Sequence, residues 1–172
     1  MIKFYEVKNL ARSFKFAFKG VGYCIHNERN MRIHITTTVI VMLFAILFGL
    51  SAIEFMILCL CFGFVIVAEM INTGIETLVN LESQSYDSLA KIAKDVAAGA
   101  VLVSAITSVI VGIILFLKPQ RLLETFTIIL TNPIYLILAI AVIFLGILFI
   151  FRGVPFISER KTKIYTIKNI KK

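Results

Sequence analysis

The stretch Ala68-Glu69-Met70-Ile71-Asn72-Thr73-Gly74-Ile75-Glu76 sets two carboxyls and an amide near the end of a long apolar segment. On a helix of about 3.6 residues per turn, Glu69, Asn72 and Glu76 share one face. Downstream, Lys91-Ile92-Ala93-Lys94-Asp95 opens the next apolar segment, and Glu28-Arg29-Asn30 precedes the first one. Ionisable groups at the edge of a membrane are costly to place there, so a cluster of them points to function.

Three carboxylates, an amide and a lysine suit phosphoryl transfer. Mg²⁺ is held by carboxylate and phosphate oxygens, and Glu28 and Glu76 could hold it. Lys94 could neutralise phosphate charge. Glu69 lies deepest of the three carboxylates and is best placed to accept the proton of a lipid hydroxyl. Other readings stand beside this one. A membrane carboxylate can simply pair with a lysine from another helix, and Lys91 and Asp95 have the spacing of an ordinary helix pair. Glu69 and Glu76 could also line a cation or proton path. There is no Walker A sequence and no glycine-rich kinase loop, since Gly20-x-Gly22 lacks the rest of that pattern. A kinase built on this chain uses neither common nucleotide fold.

The elements that must position these groups are helices in a membrane. The chain has 172 residues, 59% of them hydrophobic, and a mean hydropathy of +0.95. A soluble domain is nearer 45–50% apolar. The net charge of +8 could suggest nucleic acid, but its placement argues otherwise. Residues 1–32 hold seven Lys/Arg and residues 152–172 hold seven more. Basic residues flanking apolar spans are orientation signals, not a nucleic-acid face. Cys24, Cys59 and Cys61 make no metal or disulfide framework, and the spacing of His26 and His34 does not align them as ligands on a helix. No apolar stretch with a small-residue cleavage site precedes residue 33, so no cleavable signal peptide is expected.

Phe4, Val7, Ala11, Phe14, Phe18, Val21 and Ile25 alternate by three and four, the stripe of an amphipathic helix over residues 4–28. Its basic residues lie largely on other faces. Such a helix lies in the membrane surface or packs on the protein's own spans, and Gly20 and Gly22 should loosen its second half. Spans are expected at about 33–50, 52–81 and 88–117. Ser51-x-x-Glu54 has the form of a capping box that starts the second span after a tight turn. Asp87 or Ser88 can cap the third, and Lys118-Pro119 stops it. Residues 120–131 form a connection, with Leu122, Phe126 and Ile129 on one side if helical. Asn132-Pro133 is a helix start for a fourth span over about 133–151. The basic ends place both termini in the cytosol. Counting about 1.5 Å of rise per residue puts Glu28, Glu69, Glu76, Lys94 and Asp95 in one layer at the cytosolic interface. A transporter would need ionisable groups further across, which argues against that reading.

Three ordered motifs carry a family likeness. Glu28-Arg29-Asn30-x-x-x-His34, the stretch from Ala68 to Glu76, and Ala90-Lys91-Ile92-Ala93-Lys94-Asp95-Val96-Ala97-Ala98-Gly99-Ala100-Val101-Leu102 resemble the bacterial diacylglycerol kinase family. The first motif and the Ala-Ala-Gly-Ala-Val-Leu run look more like its undecaprenol kinase branch. The resemblance implies an all-α integral membrane protein: an amphipathic surface helix and a three-span core, here over residues 1–119, acting as a homotrimer with shared sites. It implies transfer of the ATP γ-phosphate to a lipid alcohol, with Mg²⁺. It implies Glu69 as general base, and Glu28 and Glu76 as ligands of metal and nucleotide phosphates. Asn72, Lys94 and Asp95 would complete the nucleotide site, with Tyr86 and Asp87 beside it. Asn80 stands where the family usually has Asp, which removes a charge one turn after Glu76. Residues 120–172 extend beyond the usual chain as a fourth transmembrane helix and a basic tail. Anchoring or partner binding is the expected role, so truncation after Pro119 should leave activity largely intact.

Overall fold

The computed structural model describes residues 2–82 and 88–152. Every element among them is a helix: α1 (Ile2–Asn27), α2 (Arg29–Phe48), α3 (Ala52–Glu82), α4 (Ser88–Phe116), α5 (Pro119–Thr131) and α6 (Pro133–Arg152). α2, α3, α4 and α6 are long and apolar enough to cross a membrane. They run alternately up and down, and α5 joins α4 to α6 at the end that carries the α2–α3 turn. The protein is an all-α, multi-pass membrane protein.

α1 runs through Gly20 and Gly22 without a break, so the expected loosening there is corrected. Its last turns dock on α2 and α3, with Cys24 buried. That packing offsets the roughly 1 kcal/mol that a helical glycine costs. Further back, Leu10, Phe14 and Phe18 are exposed. Both expected roles of α1 therefore have a share: its end packs on the spans, and the rest leaves an apolar stripe free for a membrane surface.

Glu28 alone separates α1 from α2, with an extended backbone (φ −103°, ψ 118°). Its side chain makes no cap hydrogen bond, so the carboxylate stays available. At the other end of α2, Gly49 adopts the left-handed conformation (φ 71°, ψ 48°), and its N–H bonds back to Ala45 and Ile46. Gly49→Ala should cost about 1 kcal/mol or more, read as a lower thermal midpoint without loss of the site. The Ser51 N–H then donates to Glu54 Oε2 at 2.8 Å, while the Glu54 N–H reaches Ser51 Oγ at 3.4 Å, which completes the capping box. Lys118 pairs with Glu54 at 2.6 Å, and Arg121 Nη1 donates to the Gly49 carbonyl at 3.2 Å. Phe44 meets Phe48, Phe116 and Phe126 at centroid distances of 5.9, 5.3 and 5.7 Å. This end of the bundle is thus locked by α5. Ala45, Leu58 and Leu115 form its buried core.

α3 and α4 make the most extensive pairing, and α2 touches both α3 and α6. α6 has no buried residue. Rows of Leu, Ile, Val and Phe on α3, α4 and α6 face outward, a surface suited to hydrocarbon. Between α2, α5, α6 and the α3–α4 pair lies an open groove of about 1160 Å³. It is lined almost wholly by apolar side chains, including Leu122, Phe126 and Ile129 from one side of α5. None of the described candidate site residues lines it.

Candidate active site

The site is built from α3 upward. Glu69 is 1% exposed, and Asn72 and Thr73 are also buried. The helical spacing of 69, 72, 73 and 76 puts all four on one side of α3, and from it Glu69, Thr73 and Glu76 reach Glu28 and Cys24 at the α1–α2 corner. Thr73 Oγ1 donates to the Glu69 carbonyl at 3.0 Å, a bond within its own helix. Asn72 Nδ2 reaches Glu76 Oε1 at 3.4 Å, a long contact. Glu69 Oε1 and Asn72 Oδ1 are buried without a hydrogen-bond partner among the described residues. Buried polar atoms are nearly always partnered, so two orphans one turn apart mark a place prepared for something else.

Glu28 faces this stripe from the α1–α2 corner. Burial, and next the negative charge of Glu76, hold its carboxyl above the ordinary value of 4.5, while Arg32 draws it down. Glu69 lies within electrostatic reach of both Glu28 and Glu76. Cys24 of α1 sits against Thr73, and burial raises its thiol above the ordinary 9.0, so it stays protonated at neutral pH. Like-charged carboxylates drawn together are what a divalent cation relieves. Among the described residues no three His, Cys, Asp or Glu side chains gather into a metal cage. A Mg²⁺ ion here would rest on Glu28 and Glu76 and take its other ligands from phosphate oxygens and water, its usual manner. The donor set fits.

Lys94 is half-buried, and its Nζ donates to Asn80 Oδ1 at 3.4 Å. Asn80 continues the Glu76 stripe by one turn, so Lys94 stands at the edge of the cluster. Lys91 and Asp95 are exposed and, among the described residues, form no ion pair with each other. Tyr86 and Asp87 lie outside the described residues. One chain thus brings together Glu28, Glu69, Asn72 and Glu76, adds Lys94 at the margin, and turns Asp95 outward. Sequence reasoning passed over Cys24, Thr73 and Arg32. Arg32 read as one of several basic residues flanking a span; its position one turn after Glu28 was the available signal.

A helical, multi-pass membrane protein with a buried carboxylate and a facing carboxylate pair at one end of its spans has the form of an interfacial membrane enzyme. Residues 15–116 match the family described as prokaryotic diacylglycerol kinase. The chain belongs to that family, which is a lipid kinase family. It is 49% identical over 112 residues to a diacylglycerol kinase of Synechocystis, covering 64% of this chain and 64% of that one. It is 39% identical over 112 residues to the undecaprenol kinase of Bacillus subtilis, covering 65% of this chain and 91% of that one. The chain therefore spans less than two thirds of the Synechocystis relative. No solved structure matches it significantly. The family match ends where α4 ends, so α5 and α6 lie beyond it.

Proposed function

We propose that this chain transfers the γ-phosphoryl group of ATP to the hydroxyl of a membrane lipid alcohol, undecaprenol, at the cytosolic face of the cell membrane. The observation that carries the reading is the buried, unpartnered Glu69 Oε1 beside the facing pair of Glu28 and Glu76. Glu69 accepts the hydroxyl proton as the lipid oxygen attacks the γ-phosphorus. The bond from that phosphorus to the bridging oxygen breaks, and ADP leaves. Glu28 and Glu76 would hold Mg²⁺, whose charge would offset that of the phosphates. Asn72 steadies Glu76, and Lys94 draws the nucleotide to the edge of the cluster. With Asn72 and Lys94, Asp95 would complete the nucleotide site, and Tyr86 and Asp87 would lie beside it in the chain.

Undecaprenol is favoured by Glu28-Arg29-Asn30 and the Ala97–Leu102 run, and by coverage of 91% of the Bacillus relative. A specific observation favours a second acceptor, diacylglycerol: the 49% identity to the Synechocystis protein. Both lipids offer a primary hydroxyl on apolar tails, so the chemistry is the same. The outward-facing Asp95 and Lys91, with the apolar faces of α3 and α4, support a homotrimer whose sites are shared between subunits. The basic residues near both chain ends support cytosolic termini.

Phosphorylation of undecaprenol and diacylglycerol, side by side in mixed micelles, tests the acceptor. Preference for undecaprenol is expected. Preference for diacylglycerol would keep the site and overturn the substrate.

A pH dependence follows from Glu28. A metal ligand must be ionised, and its carboxyl is held above 4.5 by burial and Glu76. Acid therefore removes Mg²⁺ affinity at a higher pH than an ordinary glutamate would, and raising Mg²⁺ should move the acid limb of activity downward. Metal-free stability has the opposite sign. The fold prefers protonated Glu28, so its contribution is full in acid and is lost as pH rises through the raised value. Acid limbs recorded at low and high Mg²⁺ check the first effect; an unmoved limb would remove Glu28 from the metal site.

A further inference from the structure

Arg32 lies one turn after Glu28 in α2, and its N–H reaches the Glu28 carbonyl at 3.5 Å. Its guanidinium joins three helices. Nη1 donates to the carbonyls of Ile25 and His26 in the last turn of α1, both at 3.0 Å. Nε donates to the carbonyl of Ile150 in the last turn of α6, at 3.2 Å. Helix C-termini leave such carbonyls unsatisfied and partly negative, so a cation there is well matched. Two further contacts hold the same helix end. Arg29, next to Glu28, stacks over Phe151 at 5.9 Å. Gly146, one turn before Ile150, lies so close to α2 that an added Cβ would come within 2.5 Å of Thr36 Cγ2. Thr36 is itself one turn after Arg32. The α2–α6 contact is therefore continuous from Thr36 and Gly146 to the corner at Glu28.

We infer that the fourth span is a positioning element of the active site: the end of α6, gripped by Arg29 and Arg32, fixes the α1–α2 corner from which Glu28 projects. The inference rests on the proposed role of Glu28 in holding the metal. Glu28 has no side-chain cap bond of its own, so its carboxylate goes where the backbone corner puts it. The corner is a single extended residue between two helices. One planar fork spanning α1, α2 and α6 removes its freedom to swing. Lysine cannot take over that task, because its single ammonium lacks the fork. α6 lies outside the family match, so this support is particular to chains carrying the extension. It also replaces the expectation that α6 is dispensable: a chain ended after Pro119 leaves one arm of Arg32 without its carbonyl.

The test uses the full chain with Arg32→Lys, Gly146→Ala and Gly146→Leu. Mn²⁺, standing in for Mg²⁺, is titrated and its free fraction read by electron paramagnetic resonance. In parallel, KM for Mg-ATP and kcat are measured on the phosphorylated lipid. Arg32→Lys and Gly146→Leu should weaken Mn²⁺ binding by about 10-fold or more, as loss of support behind a metal ligand does. KM for Mg-ATP should rise in step, with kcat much less affected. Gly146→Ala, which adds one carbon against Thr36, should shift both in the same direction by less, and it carries the test if the leucine variant does not fold. Wild-type Mn²⁺ affinity in the folded variants would overturn the inference, as would a fall in kcat alone. A wild-type chain that neither binds Mn²⁺ nor phosphorylates lipid would instead sink the proposed function.

Discussion

Replacing Glu69 by Gln should lower lipid phosphorylation by about a thousandfold, within the range ascribed to a general base, and leave Mg-ATP binding nearly unchanged. Glutamine matches the shape of the side chain and still accepts a hydrogen bond through its carbonyl. It cannot take the proton of an attacking hydroxyl. The structure gives the reason to expect so large an effect. Glu69 is almost wholly buried, and Oε1 has no hydrogen-bond partner among the described residues. A carboxylate retained there for stability alone would be costly. Turnover by single-turnover phosphate transfer, and nucleotide affinity by equilibrium binding, separate the two roles. Near-normal turnover in Glu69→Gln would remove the base from Glu69.

The second large effect belongs to the pair that faces it. Glu76→Gln should raise KM for Mg-ATP by about 10- to 100-fold and lower kcat less than Glu69→Gln does. The amide keeps an acceptor for Asn72 Nδ2, so the 3.4 Å contact within α3 can persist while the charge is lost. Removing that charge also relieves Glu28, whose carboxyl is held up first by burial and next by Glu76. Glu28→Gln should act in the same direction. If both residues serve one ion, the double variant should fall short of the product of the two single losses. Independent, multiplicative losses would show that they hold different groups.

The helices and their ends were legible wherever a local rule decides structure. Ser51 with Glu54, Pro119 after Lys118, and Asn132 with Pro133 mark helix boundaries by local hydrogen bonding. All three marks appear in the structure, Asn132 Oδ1 accepting from the Ile134 N–H at 3.0 Å. The stripe of Glu69, Asn72 and Glu76 was legible for the same reason, since spacing on a helix sets a face. Residues whose roles depend on distant partners were not. Arg32 finds carbonyls of α1 nearby in sequence, but its third acceptor, Ile150, is 118 residues away. α6 is apolar on every side, so no pattern announced which face docks on α2. Gly20 and Gly22 suggested a weak helix because propensity is local, whereas the docking of the end of α1 is tertiary. Lys91 and Asp95 had the right spacing for a pair, yet spacing alone does not hold two solvated side chains together.

In the proposed reaction the γ-phosphate of ATP ends on a lipid. Its stoichiometry can be read from γ-labelled ATP, purified chain and lipid alcohol in mixed micelles, with ADP and labelled lipid counted in the same sample. One labelled lipid per ADP is expected, with both products absent when Mg²⁺ or the lipid is left out. ADP formed without lipid, or no labelled lipid from folded chain with Mg²⁺ and either acceptor present, would contradict it.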